Sequence, residues 1–276
     1  MQKVKRLVER AAGVPLLGLL VSQIVSLALS GLDRSRVRFR REGSDLRFEL
    51  ASGAVLYSTE FDLLISSRLR AEAERYYLPN IRLSAGDVVV DAGASIGTFS
   101  FVAAELVGPT GKVIAVEAHP ASFERLRRGV EASRFDNIVC VHAALVAVDG
   151  PVRIDDSIDD YRLNAISETG GSEIEGRSLT SLSVELGVER IALLKMNIEG
   201  AEVDALEGAS PLADAGALRA VAVSCHDFMA EHTGQDSYRT RAAVTDWLKR
   251  HGFAGTWGSD FTAQAPLRDY VWAARA

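Results

Sequence analysis

The sequence predicts an α/β fold with a mostly parallel, doubly wound sheet of the Rossmann-like type and an antiparallel closing strand. Continuous apolar runs such as VVVDAG, KVIAVEA and LRAVAVSC have the composition of parallel strands covered on both faces. Segments with helical spacing separate these runs, and repeated strand–helix units of this length build a parallel sheet. The last two runs, FAGTWG and YVWAAR, are interpreted as the closing strands.

Two segments precede this domain, so we divide the 276 residues into 1–35, 36–80 and 81–276. The first segment is basic and apolar and is predicted to be helical. The second begins with alternating polar and apolar residues, which predicts a small antiparallel unit, and continues as a helix that ends at Pro79. Within the third, residues 149–180 are polar and turn-rich and predict an insertion or a mobile loop.

Charge is unevenly distributed along the chain. The formal net charge is −6, but residues 1–41 hold nine Lys or Arg and two acids (9 − 2 = +7), whereas the rest carries 22 − 35 = −13. The chain is therefore not expected to bind nucleic acid, and its basic arm predicts either contact with an anionic surface or a solvated basic terminus. Cys140 and Cys225 lie in apolar runs outside any CxxC pattern, which indicates reduced thiols in a cytoplasmic protein.

Residues 14–32 are uncharged and lie between basic flanks. A secretory signal, a membrane-spanning helix, a helix in the headgroup plane, and a helix packed on its own domain or on a second subunit all remain open. Small residues recur every four positions and form one stripe, whereas leucine and isoleucine lie on another side. The stripe consists of Gly18, Ser22, Ser26 and Ser30, and the apolar side of Leu16, Leu20, Ile24 and Leu27. We predict peripheral attachment to the inner membrane surface through residues 1–41.

A tight turn follows the first predicted strand of the main domain and ends in Gly97. Gly93 allows backbone torsions that a Cβ forbids, and Glu117 ends the next strand, where a carboxylate accepts hydrogen bonds from ribose hydroxyls. The G-x-G-x-x-G spacing of a pyrophosphate site is absent. Asp91 before the turn repels a pyrophosphate and suits a cationic ammonium and sulfonium. An NAD-dependent oxidoreductase remains the alternative.

Three stretches resemble the FkbM-type methyltransferase family, in order, between about residues 86 and 226. They are DAGASIGTFS at 91–100, VEAHP at 116–120 and LLKMNIEGAEVDALEGA at 193–209. The resemblance implies a class I methyltransferase fold and S-adenosylmethionine as cofactor. It also implies O-methylation of a hydroxyl on a sugar, glycolipid or natural product. The acceptor is a small molecule, a glycan or a lipid, with its contacts expected in residues 149–180 and 226–240, and homo-oligomerisation remains open.

The cofactor site is assigned by carrying the family pattern onto this sequence. The predicted cofactor residues are Asp91, Gly93, Ser95, Gly97, Thr98, Glu117, Ala143 and Asn197. Asn197 departs from the Asp that is common in the family. An amide is no general base and is a poorer metal ligand, so no metal is predicted. The same departure leaves open a non-catalytic nucleoside-binding module.

His226 is the predicted general base, because it follows a strand at the carboxyl edge of the sheet. Asp227 orients it or binds the acceptor, and Asn197 orients the acceptor or the methionine end of the cofactor. The alternative for His226 is a structural ring that shapes its loop. For Glu199, a helix cap and an acceptor contact both remain open.

Overall fold

A computed structural model describes residues 15–34, 36–61, 66–154, 171–257 and 269–275. The helices are α1 (Pro15–Asp33), α2 (Ser66–Tyr76), α3 (Thr98–Val107), α4 (Pro120–Ala132), α5 (Leu179–Glu185), α6 (Glu202–Glu207), α7 (Ser210–Asp214), α8 (Asp227–Thr233) and α9 (Arg241–Arg250). The strands are β1 (Arg38–Glu42), β2 (Asp45–Glu49), β3 (Val55–Ser58), β4 (Val88–Ala92), β5 (Lys112–Glu117), β6 (Ile138–His142), β7 (Ala144–Leu145), β8 (Gly150–Ile154), β9 (Ser172–Arg177), β10 (Leu193–Met196), β11 (Ala220–Ser224), β12 (Ala254–Trp257) and β13 (Tyr270–Ala274).

A seven-stranded sheet in the order β6-β5-β4-β10-β11-β13-β12 forms the centre of the main domain. Strands β6, β5, β4, β10 and β11 pair in parallel, and β13 pairs antiparallel with both β11 and β12. Val89 packs into one apolar cluster and Val90 into another, so this strand is buried on both faces, which accounts for its continuous apolar run. The predicted Rossmann-like fold with an antiparallel closing strand is confirmed.

Of the two predictions for residues 149–180, an insertion or a mobile loop, the loop is wrong for the described parts, and the insertion stays a prediction. Strands β8 and β9 pair antiparallel, and β9 also pairs with β7, so these three form a second sheet. Buried Ile154 and Ile174 alternate with polar residues, and this period of two was hidden by the polar majority. Residues 155–170 lie outside the described residues.

The appendage, which comprises the described residues from 15 to 80, contains the antiparallel sheet β1-β2-β3 and helices α1 and α2. Its sheet packs against α4, where a Cβ on Gly129 would lie 2.5 Å from the carbonyl oxygen of Val55. Asp45 of β2 is buried and accepts hydrogen bonds from Arg125 and Arg128 of α4. The antiparallel unit and the following helix are present as expected, while the domain boundaries stay a prediction.

Helix α1 packs on the edge of β1 through its small-residue stripe. The N–H groups of Val37 and Phe39 donate to the hydroxyls of Ser30 and Ser26, each at 2.8 Å. Of the alternatives for residues 14–32, the structure shows a helix packed on its own domain. No helix among the described residues has the length and apolar character needed to cross a membrane.

Candidate functional site

A cavity of about 460 Å³ opens at the carboxyl ends of β4, β5 and β10. This is the edge of a doubly wound sheet at which ligands bind, and the volume lies in the usual range for small-molecule sites. Six of the predicted cofactor residues line the cavity: Gly93, Ser95, Thr98, Glu117, Ala143 and Asn197. The other two, Asp91 and Gly97, do not line it.

The turn after β4 depends on its two glycines for different reasons. Gly93 has a φ of 71°, and a Cβ there would lie 2.0 Å from the carbonyl oxygen of Asn197. Gly93 therefore lets two loops of the cavity wall meet without a side chain between them. Gly97 has a φ of 90° and would bring a Cβ within 2.8 Å of Leu126 in α4. Its role is to let the start of α3 pack on α4.

Glu117 is a buried carboxylate held by backbone amides. The N–H of Ser95 donates to its Oε2 at 2.7 Å, and the N–H of His119 donates to its Oε1 at 2.9 Å. Burial raises the pKa of Glu117, while the two amide donors act in the opposite direction. The side chain is therefore fixed at the end of β5, where each oxygen keeps a second acceptor position.

Asp91 is buried behind the cavity wall rather than exposed in the cavity as the sequence predicts. Its side chain is fully buried, and Lys195 donates to its Oδ1 at 2.8 Å while Ser100 donates to its Oδ2 at 2.5 Å. Lys195 lies directly beside it in the register of β10 on β4. The charge of Asp91 is thus already neutralised within the protein. Of this pair, Lys195 lines the cavity and Asp91 does not.

Lys195 was not predicted from the sequence, although one signal pointed to it. A lysine within the apolar run LLKM of a strand buried on both faces needs a charged partner. Its Nζ also donates to the carbonyl oxygen of Gly93 at 3.0 Å and lies 5.0 Å from the ring centroid of Tyr77. Lys195 therefore links the turn after β4 to Tyr77 of the appendage.

The prediction of His226 as general base is contradicted by its surroundings. The ring is buried, with Nδ1 at 2.8 Å from Glu202 Oε1 and Nε2 at 3.3 Å from Glu199 Oε2. Burial lowers the pKa of His226, but the two carboxylates outweigh it and raise the pKa to about 10. The imidazole is therefore protonated at neutral pH and has no lone pair with which to accept a proton.

Asp227 also has a different role from the predicted one. Its Oδ2 accepts hydrogen bonds from the N–H groups of Thr240 and Arg241 at 3.1 and 3.0 Å. These amides lie at the start of α9, so Asp227 satisfies donors that the helix leaves free. It neither orients His226 nor lines the cavity.

One wall of the cavity comes from the appendage. The appendage residues that line it are Ser58, Glu60, Arg68, Leu69, Glu72 and Tyr77. Of the two regions in which acceptor contacts were expected, the described part contributes Ile154 to the lining. No motif in residues 58–77 signals this role, because the wall forms only when α2 packs beside α3.

Comparison with known proteins identifies the domain. The profile of the family described as Methyltransferase FkbM domain matches residues 91–254, more than half of the chain. The chain belongs to the FkbM methyltransferase family. The family prediction from the sequence motifs is therefore confirmed, and the FkbM domain is a methyltransferase that uses S-adenosylmethionine.

Individual relatives are more distant. Protein-L-isoaspartate O-methyltransferase 2 of Archaeoglobus fulgidus is 41% identical over 56 residues, which cover 20% of this chain and 26% of that protein. Methyltransferase FkbM of Methylobacillus flagellatus KT is 16% identical with a TM-score of 0.49, covering 73% of this chain and 47% of that one. Aeropyrum pernix fibrillarin with bound S-adenosylmethionine is 14% identical with a TM-score of 0.44, covering 87% and 99%. The matches thus span about a quarter of the length of the Archaeoglobus protein and about half of the length of the Methylobacillus protein.

The cavity of the FkbM domain fits an adenosyl sulfonium. Ser95 lines the cavity, and within the described residues its buried Oγ has no hydrogen-bond partner. A buried hydroxyl of this kind needs a partner, which a ligand in the cavity would supply. The second acceptor position on each oxygen of Glu117 would suit ribose hydroxyls. Among the described residues, no cluster of three or more His, Cys, Asp or Glu side chains is arranged to hold a metal ion.

Replacing Glu117 by Gln is expected to weaken binding of S-adenosylmethionine by about 10- to 100-fold. A hydrogen bond to a charged acceptor contributes about 1.5–3 kcal/mol, and the amide loses that charge. Isothermal titration calorimetry measures the change. Glu105→Gln, on the exposed side of α3, is the matched control and should bind as the wild type does. Equal affinity of both variants would exclude Glu117 as a cofactor ligand.

Proposed function

We propose that this chain transfers a methyl group from S-adenosylmethionine to a hydroxyl oxygen of a sugar, glycolipid or natural product, with Glu199 as the proton acceptor. The observation that carries this proposal is the carboxylate of Glu199, which lines the cavity beside Asn197 and is held in place by His226. Because His226 is already protonated, Glu199 is the group of this pair that can take a proton.

The loop after β10 presents Glu199 to the cavity. Glu199 has a φ of 52° and Gly200 a φ of 100°, so the chain turns in the left-handed region before α6 begins. His226 holds the carboxylate of Glu199 on one side of its ring and that of Glu202 on the other. The N–H of Gly200 also donates to Glu202 at 3.1 Å. This arrangement fixes Glu199 before an acceptor binds, which favours catalysis by orientation.

The proposed reaction is an in-line displacement. When bound, S-adenosylmethionine would supply an electrophilic methyl group, with a neutral thioether as the leaving group. As the new C–O bond forms and the S–C bond breaks, the acceptor hydroxyl becomes strongly acidic. Glu199 then takes its proton. Apolar residues such as Ile198 and Phe99 in the lining exclude water from the reacting atoms.

The charges of the cavity favour an uncharged, polyhydroxylated acceptor. Among the described residues that line it, four are carboxylates (Glu60, Glu72, Glu117 and Glu199), against the two cations Arg68 and Lys195. Each cation already donates to a carboxylate, Arg68 to Glu72 at 2.8 Å and Lys195 to Asp91. An acceptor phosphate or carboxylate would meet net repulsion, whereas sugar hydroxyls find abundant acceptors.

Replacing Glu199 by Gln is expected to lower kcat about 100-fold while leaving cofactor affinity within about twofold. The loss lies at the lower end of general-base effects, because the acceptor hydroxyl becomes acidic during the transfer and depends less on its proton acceptor. Transfer of a tritiated methyl group to a panel of simple pyranosides measures it. Glu189→Gln, at an exposed site, is the matched control. Unchanged kcat in the Glu199 variant would remove the assignment.

Neither alternative left open by the sequence gains support from the family match. The NAD-dependent oxidoreductase and the non-catalytic nucleoside-binding module make distinct predictions. The first requires NAD, rather than S-adenosylmethionine, to raise Tm. The second requires cofactor binding without methyl transfer to any acceptor. Both outcomes are read from the same protein sample in the two assays.

A further inference from the structure

We infer that the outer face of α1, defined by Leu20, Ile24 and Leu27, docks this protein on an anionic lipid bilayer. The three side chains are 55%, 57% and 74% exposed. They lie on one side of the helix, since residues three and four positions apart are neighbours on its surface. A contiguous exposed apolar stripe of this kind marks an interaction site, whereas single exposed apolar residues are ordinary.

The opposite face of α1 is already used within the protein. Gly18, Val25 and Leu29 are buried, and Ser26 and Ser30 hydrogen-bond to the edge of β1. The helix therefore cannot turn its apolar outer face inward without breaking these hydrogen bonds. The outer face remains directed at solvent, or at whatever the protein docks on.

Charge selects an anionic lipid surface as the occupant. Exposed arginines follow α1 directly and continue along β1: Arg34, Arg36, Arg38 and Arg40. Arg38 and Arg40 lie near Glu49 and Glu42, but these ion pairs are exposed and therefore weak. Residues 42–276 carry a net charge of 22 − 35 = −13 and would be repelled from such a surface. Charge therefore favours approach by the α1 end, which also sets the orientation.

The size of the outer face argues against a second copy of the chain. From Leu20 to Leu27 it extends about 10 Å along the helix. A stable dimer buries about 800 Å² on each partner, much more than three side chains provide. An exposed apolar helix face with a basic flank is instead suited to lie in the headgroup plane.

The docking helix and the cavity wall are part of the same appendage. Helix α1 contacts α2, and α2 carries the lining residues Arg68 and Glu72. Resting on the proposed function, this contact favours an acceptor hydroxyl carried by a membrane lipid. Docking and acceptor recognition would then be performed by adjoining elements.

The test is flotation of the full chain with two kinds of vesicle, pure phosphatidylcholine and phosphatidylcholine mixed with phosphatidylglycerol. We expect binding to the anionic vesicles alone at low salt. The triple variant Leu20→Gln, Ile24→Gln, Leu27→Gln should reduce that binding by about tenfold or more. The double variant Val148→Gln, Val184→Gln is the matched control, because these residues are 80% and 78% exposed elsewhere.

Three results would overturn the inference. The first is a wild-type protein that fails to bind anionic vesicles, and the second is a control variant that loses as much binding as the triple variant. The third result is a wild-type protein that is dimeric in sedimentation velocity while the triple variant is monomeric. Tm and cofactor affinity should not change in the triple variant. Methyl transfer to a water-soluble pyranoside should also be unchanged, so a failure of docking is distinct from a failure of the proposed reaction.

Discussion

Replacing Lys195 by Met is expected to destabilise this protein by about 3–5 kcal/mol, because it leaves the charge of Asp91 buried without its partner. Asp91 has no exposed surface and Lys195 is only 3% exposed, so neither solvent nor screening ions can compensate. Methionine is unbranched and apolar and can follow the path of the lysine stem. The loss is therefore electrostatic, and the free energy of unfolding in urea measures it.

Two further variants isolate the ion pair. Lys249→Met, at an exposed site on α9, should change stability by no more than about 0.5 kcal/mol. Asp91→Asn in the Lys195→Met background should recover part of the loss, because it removes the unpaired charge. A destabilisation of the Lys195 variant below about 1 kcal/mol would show that the pair contributes little.

Replacing His226 by Gln is expected to cost about 3–5 kcal/mol at neutral pH, because the buried carboxylate of Glu202 and that of Glu199 then face each other without a cation. The variant should also lose a pH dependence that the wild type has. The pKa of His226 is about 10 in the folded protein, against 6.5 as its ordinary value. Its stabilisation is therefore complete below about pH 6.5 and disappears as the pH rises through 10.

Urea unfolding between pH 6 and pH 10 tests this result. The wild-type free energy of unfolding should fall over this range more steeply than that of the His226 variant. His232→Gln is the matched control, because that histidine is exposed and bonds a backbone carbonyl. Parallel slopes for all three proteins would contradict a protonated His226.

The fold was predictable because its signals are local. Continuous apolar strands, the turn between Asp91 and Gly97 and the position of Glu117 are all read within a short window of sequence. The pairing of Asp91 with Lys195 is different, because 104 residues separate them and only the strand register brings them together. A short window shows that each is charged, but not that they neutralise each other.

His226 shows the same limit in the candidate site. Its place at the carboxyl edge of the sheet was predictable, but its chemistry depends on Glu199 and Glu202, which belong to another strand–helix connection. The acceptor wall was missed for a related reason. Residues such as Arg68 and Glu72 carry no motif, and only tertiary packing turns them into cavity lining.

The hydroxyls of Ser26 and Ser30 have a consequence for how this protein can be handled. They accept the N–H groups of Phe39 in β1 and of Val37 just before it, at a strand edge that would otherwise be open to pairing with another chain. A truncated form that begins at residue 36 would expose that edge and invite aggregation. Point substitutions on the surface of α1 are therefore better suited than truncation for studying this helix.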